Sequence, residues 1–200
     1  MSFLKLKYEL ILASNSKSRS ALLKTVKIPF RQIAADVDEE KILKMNSKSS
    51  SEQQVQDLAS AKAMEVSFRY PRSLVIGADQ MVLFQDCLLG KPETPENTIK
   101  QLYKLQSKSH KLLSGWAICL DNKVLAKGTD LVSLRMRPMS KELLKKYVEL
   151  EKSYDSCGGY YFESAGRLLF DKVSGSHDSI LGLPLEPILN TIWELDLFIT

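Results

Sequence analysis

Hydrophobic residues occur in short blocks along the chain, and the spacing within each block predicts its secondary structure. Mostly apolar runs at residues 8–13 and 74–84 are typical of buried strands, and a third strand is expected at 28–35. Apolar residues three or four apart between Val55 and Val66 predict a helix with one inward face. The first half of the chain therefore alternates strands and helices.

The second half adds a predicted β-hairpin. Two runs rich in strand-forming residues, 110–120 and 123–136, are joined by Asp121 and Asn122. Hairpins mixed with helices predict a mixed α/β (α+β) fold around a mixed sheet, and no repeat or linker divides residues 1–200. Further elements are expected as a helix from Pro95 to about residue 106 capped by Thr94, a helix capped by Ser140, a strand at 168–173 and a last helix opening at 182–185.

Composition narrows the class of protein. The 200 residues are 44% hydrophobic, enough for a sizeable core, and the net charge of +4 is too small for the concentrated basic surface of a nucleic-acid-binding protein. Three widely spaced cysteines form neither a disulfide framework nor a metal-binding pair. Without a leader-like or membrane-spanning apolar run, we expect a cytoplasmic protein with no membrane and no nucleic acid as partner.

The turn after the first strand is rich in anion-binding groups. Ser14, Ser16, Ser18 and Arg19 stand between a strand and the start of a helix, where backbone N–H groups, hydroxyls and a guanidinium can hold a phosphate. The alternative is an ordinary serine N-cap with an exposed arginine.

Asp79 interrupts the apolar run 74–84, and a carboxylate there needs a compensating cation. Lys91, on a stiff Gly-Lys-Pro connection, and a divalent ion are the natural candidates. Lys62 lies on the inward stripe of the preceding helix, so it either extends past the stripe into water or meets an anion.

Two further segments allow a choice of interpretation. The acidic cluster at 36–40 either binds a hard cation or lies in solvent. The serine-rich stretch 46–51 is expected to be a loop that ends in a capping box formed by Ser51 and Gln54. The P-loop, dinucleotide-binding, nucleophile-elbow and zinc-protease motifs are absent from the sequence, and each of the two histidines is expected to be a structural or surface residue rather than a catalyst.

Nine short motifs, spread over nearly the whole chain, resemble those of Maf proteins in identity and order. They are Leu10–Arg19 with the following Ala-Leu-Leu, Val37-Asp38-Glu39, Ala61-Lys62-Ala63, Ile76–Asp79, Gly90-Lys91-Pro92, Ser114-Gly115, Arg137, Gly158 with Tyr160, and Leu181–Leu185. The resemblance implies an elongated mixed sheet in two lobes flanked by helices around a central cleft, similar to inosine triphosphatases.

The resemblance also implies a reaction, the hydrolysis of a nucleoside triphosphate to the monophosphate and pyrophosphate in a house-cleaning role. By motif, Asp79 is the proton acceptor that activates water, and Asp79 and Glu39 hold Mg²⁺ or Mn²⁺. The triphosphate is expected on Ser14, Arg19, Lys62 and Lys91, whose cations offset its charge. A homodimer is expected from the resemblance alone.

Three positions that differ from the common family pattern bear on the base. Ser18, Gln80 and Glu163 are the predicted specificity residues, and the last two resemble the branch that hydrolyses 7-methyl-GTP. A carboxylate can accept hydrogen bonds from a guanine edge, and Tyr160 or Tyr161 would stack on a cationic methylated base.

A second class of function uses the same residues without catalysis. The chain would then be a nucleotide-binding regulator of cell division and septum formation that acts through a partner. A basic RNA-binding module is a third hypothesis, which the balanced charge weakens.

Overall fold

Hairpins and helical crossovers combine in one mixed α/β fold, as the sequence predicts. The computed structural model describes residues 4–199. Its strands are Lys5–Leu6 (β1), Glu9–Ala13 (β2), Phe30–Ile33 (β3), Ser73–Phe84 (β4), Cys87–Leu89 (β5), Ser109–Leu120 (β6), Lys123–Met136 (β7), Phe170–Ser174 (β8) and Phe198–Ile199 (β9). Its helices are Lys17–Lys24 (α1), Glu39–Met45 (α2), Ser51–Arg69 (α3), Pro95–Leu105 (α4), Lys141–Glu151 (α5), His177–Ile180 (α6) and Leu185–Glu194 (α7), with a 3₁₀ helix at Ala165–Leu169.

The main sheet is mixed. Its strand order is β3-β2-β4-β6-β7-β8, with β5 paired to β4, while β1 and β9 form a separate two-stranded sheet. Strand β2 is parallel to β3 and β4, because helical crossovers connect these strands. Strands β5 and β8 are antiparallel to their neighbours. None of the helices described in residues 4–199 has the length and apolar character to cross a membrane.

The chain divides into two compact units. The first unit comprises residues 4–80, 114–130 and 181–199, and the second comprises 81–113 and 131–180. Three of the four boundaries fall within β4, β6 and β7, and the fourth follows α6 at Ile180. Because the chain passes between units inside regular strands at three of the four points, no linker marks those crossings in the sequence.

The core of the first unit lies on both faces of β2. Leu10 and Leu12 pack into one cluster, while Ile11 and Ala13 pack into another, as the alternation of a fully buried strand requires. The first cluster includes Ile188 of α7. The second consists largely of small residues and belongs to the face that α3 covers.

Helix α3 lies unusually close to the sheet. A Cβ atom added to Gly77 of β4 would stand 2.2 Å from the carbonyl oxygen of Ala59, and one added to Gly115 of β6 would stand 2.5 Å from that of Val55. No methyl group fits at either position. Glycine at these two sites therefore determines how near α3 can bring its side chains to β4.

The second unit has an aromatic core. Tyr160 packs edge-on against Phe170 with the ring centroids 4.8 Å apart, and its hydroxyl lies 2.7 Å from Nε2 of His110. Burial lowers the pKa of His110 to about 4. His110 is thus a buried, neutral structural residue near neutral pH, as predicted.

Most predicted helix starts are confirmed, but one cap is displaced. Thr94 and Ser140 accept hydrogen bonds at the starts of α4 and α5. The predicted capping box at Ser51 is wrong, because Ser50 accepts from the backbone N–H of Gln53 and Ser51 is already helical.

Two element boundaries and one whole strand also differ from the prediction. The first part of the predicted strand 168–173 is the end of the 3₁₀ helix, and β8 begins only at Phe170. Strand β5 was not predicted; Gln85 and Asp86, with φ of 50° and 59°, form the tight turn that folds it back on β4. The strand expected at 28–35 is confined to β3.

Candidate active site

Asp79 lies within β4 and is 8% exposed. Its Oδ1 accepts a hydrogen bond from Nζ of Lys62 at 2.5 Å. Lys62 of α3 is therefore a compensating cation for this carboxylate. The expected roles of Lys91 and a divalent ion there stay predictions. The side chain of Lys62 is only 13% exposed, so this lysine meets an anion instead of extending past its helix into water.

Glu39 also contacts Lys62. Its Oε1 lies 2.8 Å from the same Nζ atom, and its side chain is 54% exposed. Asp38 caps α2 by accepting from the backbone N–H of Lys41, which makes Glu39 the first residue of that helix. The acidic cluster at 36–40 is thus divided between a helix cap and an ion pair. We call Glu39, Lys62 and Asp79 the charged triad, with a formal net charge of −1.

Strand register places the Ser14 turn beside the triad. Strand β2 ends at Ala13, which pairs with Gly77, so the chain leaves β2 alongside Ala78 and Asp79. The Oγ of Ser14 accepts from the backbone N–H of Ser16 at 3.1 Å and lies 3.4 Å from Nη1 of Arg19. Ser14 is buried, so its hydroxyl braces the turn.

Arg19 joins three segments of the first unit. Its Nε donates to the carbonyl oxygen of Gly182 at 2.8 Å, and its Nη1 donates to that of Ala78 at 2.9 Å. A Cβ atom at Gly182, where φ is +85°, would stand 3.2 Å from Nε of Arg19. The predicted serine cap is present, since Ser16 accepts from the backbone N–H of Arg19. The arginine, however, is half-buried rather than exposed.

Two predicted specificity residues lie in the first unit. Gln80 follows Asp79 along β4 and therefore points to the opposite face of the strand, where its Nε2 donates to Oγ of Ser114 at 2.9 Å. Ser18 is half-buried in the first turn of α1. Ser114 belongs to one of the nine Maf-like motifs, but its contact with Gln80 was not predicted.

Lys91 belongs to the second unit. It is exposed, and it makes no ion pair within residues 4–199. The next residue, Pro92, is buried, and the backbone N–H of Glu93 donates to the carbonyl oxygen of Tyr154 at 2.9 Å. The connection that carries Lys91 is therefore anchored on its C-terminal side, as its stiff sequence predicts.

Glu163 also belongs to the second unit and is exposed. It acts on Tyr161, whose pKa is raised by burial first, then by its hydrogen bond to Asp155 and by the charges of Asp155 and Glu163. Tyr160 is buried in the aromatic core. The prediction that Tyr160 stacks on a base is therefore wrong, and Tyr161 remains the candidate for this contact.

The triad suits a hard divalent cation. Asp79 and Glu39 approach the same nitrogen atom, so their oxygens already converge on a cation. In residues 4–199 no group of three or more His, Cys, Asp or Glu side chains is arranged to hold a metal. Two carboxylates fit Mg²⁺, which commonly takes one or two carboxylates together with substrate phosphates and water.

Two positions important for this geometry were not predicted. Gln32 donates from Nε2 to the carbonyl oxygen of Ser14 at 2.9 Å, across the parallel pair β2 and β3. Gly77 was quoted only as part of a motif, yet it allows the approach of α3. Gln32 gives no sequence signal, whereas a glycine inside an apolar strand is a recognised sign of close backbone packing.

The structure is thus a mixed α/β fold in which two acidic side chains, Glu39 and Asp79, are held against one lysine. The chain matches the family described as Maf-like protein over residues 9–195, and it belongs to that family.

Curated relatives cover nearly the same length. A nucleoside triphosphate pyrophosphatase of Rhodopseudomonas palustris (strain HaA2) is 38% identical over 182 residues, covering 90% of both chains. One from Legionella pneumophila (strain Lens) is 33% identical and covers 93% of both. A 7-methyl-GTP pyrophosphatase of Brucella abortus is 36% identical, covering 90% of this chain and 93% of its own.

A solved structure shares the fold. The Ham1 protein of Staphylococcus aureus superposes with a TM-score of 0.52 at 16% identity, covering 94% of this chain and 99% of its own. The predicted family and the predicted mixed fold are both confirmed.

Proposed function

We propose that this chain is a nucleoside triphosphate pyrophosphatase, which hydrolyses the bond between the α- and β-phosphates to give a nucleoside monophosphate and pyrophosphate. The observation that carries the proposal is the nearly buried Asp79 held 2.5 Å from Lys62. Curated relatives with the names given above supply the reaction class. We expect this activity in the cytoplasm, in a house-cleaning role and from a homodimer.

Asp79 is the proposed acceptor of the proton from the attacking water. Its Oδ1 is engaged by Lys62, while within residues 4–199 its Oδ2 takes no hydrogen bond and remains available as a base. The ammonium of Lys62 offsets the negative charge of this mostly buried carboxylate.

Glu39 and Asp79 are the proposed metal ligands. Mg²⁺ or Mn²⁺, when bound, would offset the charge of the triphosphate and make water a better nucleophile. Glu39 suits this role because its exposed side chain starts at the first turn of a helix and can adjust to a ligand.

Arg19, Lys62, Lys91 and Ser14 are the proposed triphosphate-binding residues. Arg19 also helps to position Asp79, because its Nη1 donates to the carbonyl oxygen of Ala78, the residue before Asp79. The cations offset the negative charge of the substrate and of the transition state.

The proposed base is 7-methylguanine, with Ser18, Gln80 and Glu163 as specificity residues. Support comes from the name of the Brucella abortus relative and from the acidic surroundings of Tyr161, which suit a cationic ring. Gln80 contributes through its contact with Ser114, which fixes its side chain.

The test is a product analysis with Mg²⁺ or Mn²⁺ over a panel of canonical and methylated nucleoside triphosphates. We expect pyrophosphate and the monophosphate, with 7-methyl-GTP hydrolysed fastest. Equal rates for dTTP, UTP and 7-methyl-GTP would contradict the base preference. Release of inorganic phosphate would contradict the reaction, and nucleotide binding without any product would favour the regulator.

A further inference from the structure

Lys62 stands where a bound cation would stand. Its Nζ lies 2.5 Å from Oδ1 of Asp79 and 2.8 Å from Oε1 of Glu39. These two carboxylates are the proposed metal ligands, yet Lys62 is also a proposed ligand of the triphosphate. The lysine therefore holds the two acids that a metal needs.

An ammonium and a divalent cation cannot share these oxygens at little cost. Two like charges a few ångströms apart repel strongly beside a carboxylate as buried as that of Asp79. The side chains of Lys62 and Asp79 are 13% and 12% exposed, so water weakens this repulsion only slightly. Arrival of a metal thus requires the Lys62 ammonium to leave.

The chain allows that movement in the side chain alone. Helix α3 is fixed against β4 by the contact of Ala59 with Gly77, where no methyl group fits. The ammonium of Lys62 is carried on a flexible four-carbon stem. The helix can stay in place while the ammonium changes partners.

We propose that Lys62 is a placeholder for the divalent cation. In the nucleotide-free protein it neutralises Asp79 and Glu39, and it transfers to the triphosphate when metal and nucleotide bind together. The placeholder excludes metal in the absence of substrate and makes metal and nucleotide binding mutually reinforcing. This inference rests on the proposed function, because it needs an anionic ligand to receive the lysine.

The experiment measures Mn²⁺ affinity by electron paramagnetic resonance of free Mn²⁺, without nucleotide and with an α,β-methylene nucleoside triphosphate that cannot be cleaved. The variants are Lys62→Met and Lys62→Gln, the second keeping a polar side chain if the first fails to fold. Lys127→Met is the matched control, because Lys127 forms an ion pair with Asp57 at 3.2 Å in the same unit.

Without nucleotide we expect the Lys62 variants to bind Mn²⁺ about tenfold more tightly than the parent protein. Lys127→Met should not change the affinity, and adding Asp79→Asn to Lys62→Met should abolish the gain. The analogue should tighten Mn²⁺ binding to the parent protein and should have much less effect on the Lys62 variants.

Unchanged or weaker Mn²⁺ binding by folded Lys62 variants would overturn the inference, as would an equal effect of the analogue on parent and variants. The proposed function can fail separately. If the parent protein releases no pyrophosphate while the Mn²⁺ results hold, the reaction is wrong and the placeholder stands. If pyrophosphate is released normally while the Lys62 variants show no gain in affinity, only the placeholder is wrong.

Discussion

The two units treat buried ionisable groups in opposite ways. In the first unit Asp79 is 8% exposed and is matched by the ammonium of Lys62. In the second unit His110 is 2% exposed and is kept neutral, because burial lowers its pKa to about 4, and its Nε2 lies 2.7 Å from the hydroxyl of Tyr160. A buried charge is retained where the fold supplies a countercharge and is otherwise given up.

The packing of the two units differs as their treatment of charge does. The first unit builds the α3 interface from small residues, which brings Lys62 close to β4. The second unit fills its interior with rings, including Tyr160, Phe162 and Phe170. Close backbone packing in one unit positions charge, whereas aromatic packing in the other excludes it.

Gly77→Ala is the strongest test of the claim that close packing of α3 on β4 organises the first unit. The added methyl group would meet the carbonyl oxygen of Ala59 at 2.2 Å. We expect a loss of roughly 3 kcal/mol in the free energy of unfolding, since α3 must move away from the sheet. Urea denaturation measures this loss.

Gly90→Ala is the matched control for Gly77→Ala. A Cβ atom at Gly90 has no atom within 4 Å, so we expect a change below about 0.5 kcal/mol. Equal stability losses in the two variants would show that the close approach of α3 does not govern the first unit.

His110→Gln tests the second half of the comparison. Below pH 6.5 the imidazole of the unfolded chain takes up a proton, while the folded one stays neutral down to about pH 4. The contribution of His110 to the free energy of unfolding is therefore full above pH 6.5 and falls as the pH drops. At pH 5 the loss is about 2 kcal/mol.

The measurement is urea denaturation of the parent and His110→Gln proteins at pH 8 and pH 5. His110→Gln should remove the stability loss between pH 8 and pH 5 that protonation of His110 causes. If His110→Gln loses as much stability at pH 5 as the parent protein does, the second unit does not hold a neutral histidine.

The smallest expected effect concerns the start of α3, the helix that carries Lys62. The Oγ of Ser50 accepts from the backbone N–H of Gln53 at 3.2 Å. Ser50→Ala should cost about 1 kcal/mol of unfolding free energy in thermal or urea denaturation. Ser51→Ala, inside the first turn, should cost much less, and the reverse order would restore the cap predicted from the sequence.

Local signals in the sequence were sufficient for the elements and for individual site residues. The apolar run around Asp79 and the misplaced Lys62 on an apolar stripe both indicated charge chemistry. The sequence alone could not show whether Ser50 or Ser51 caps α3, because a serine can cap a helix at either position. Helix α2 was missed because its cap, Asp38, stands in an acidic cluster that has an equally simple explanation as a solvent-exposed segment.

Pairing between distant residues could not be predicted. The contact between Lys62 and Asp79 depends on the distance between α3 and β4, which Gly77 sets through packing rather than through any local pattern. The same holds for Arg19, whose partners are carbonyl oxygens of Ala78 and Gly182, groups that every residue carries. The roles of Lys91 and Glu163 stay predictions from motif.

The most direct test of the catalytic role of the charged triad is single-turnover pyrophosphate release from a nucleoside triphosphate by the parent, Asp79→Asn and Asp86→Asn proteins. Asp86 is an exposed aspartate in the turn between β4 and β5 and serves as the matched control. We predict that Asp79→Asn lowers the rate about 10³-fold while its fold is retained, and that Asp86→Asn matches the parent protein. A folded Asp79→Asn protein that releases pyrophosphate at the parent rate would contradict the account.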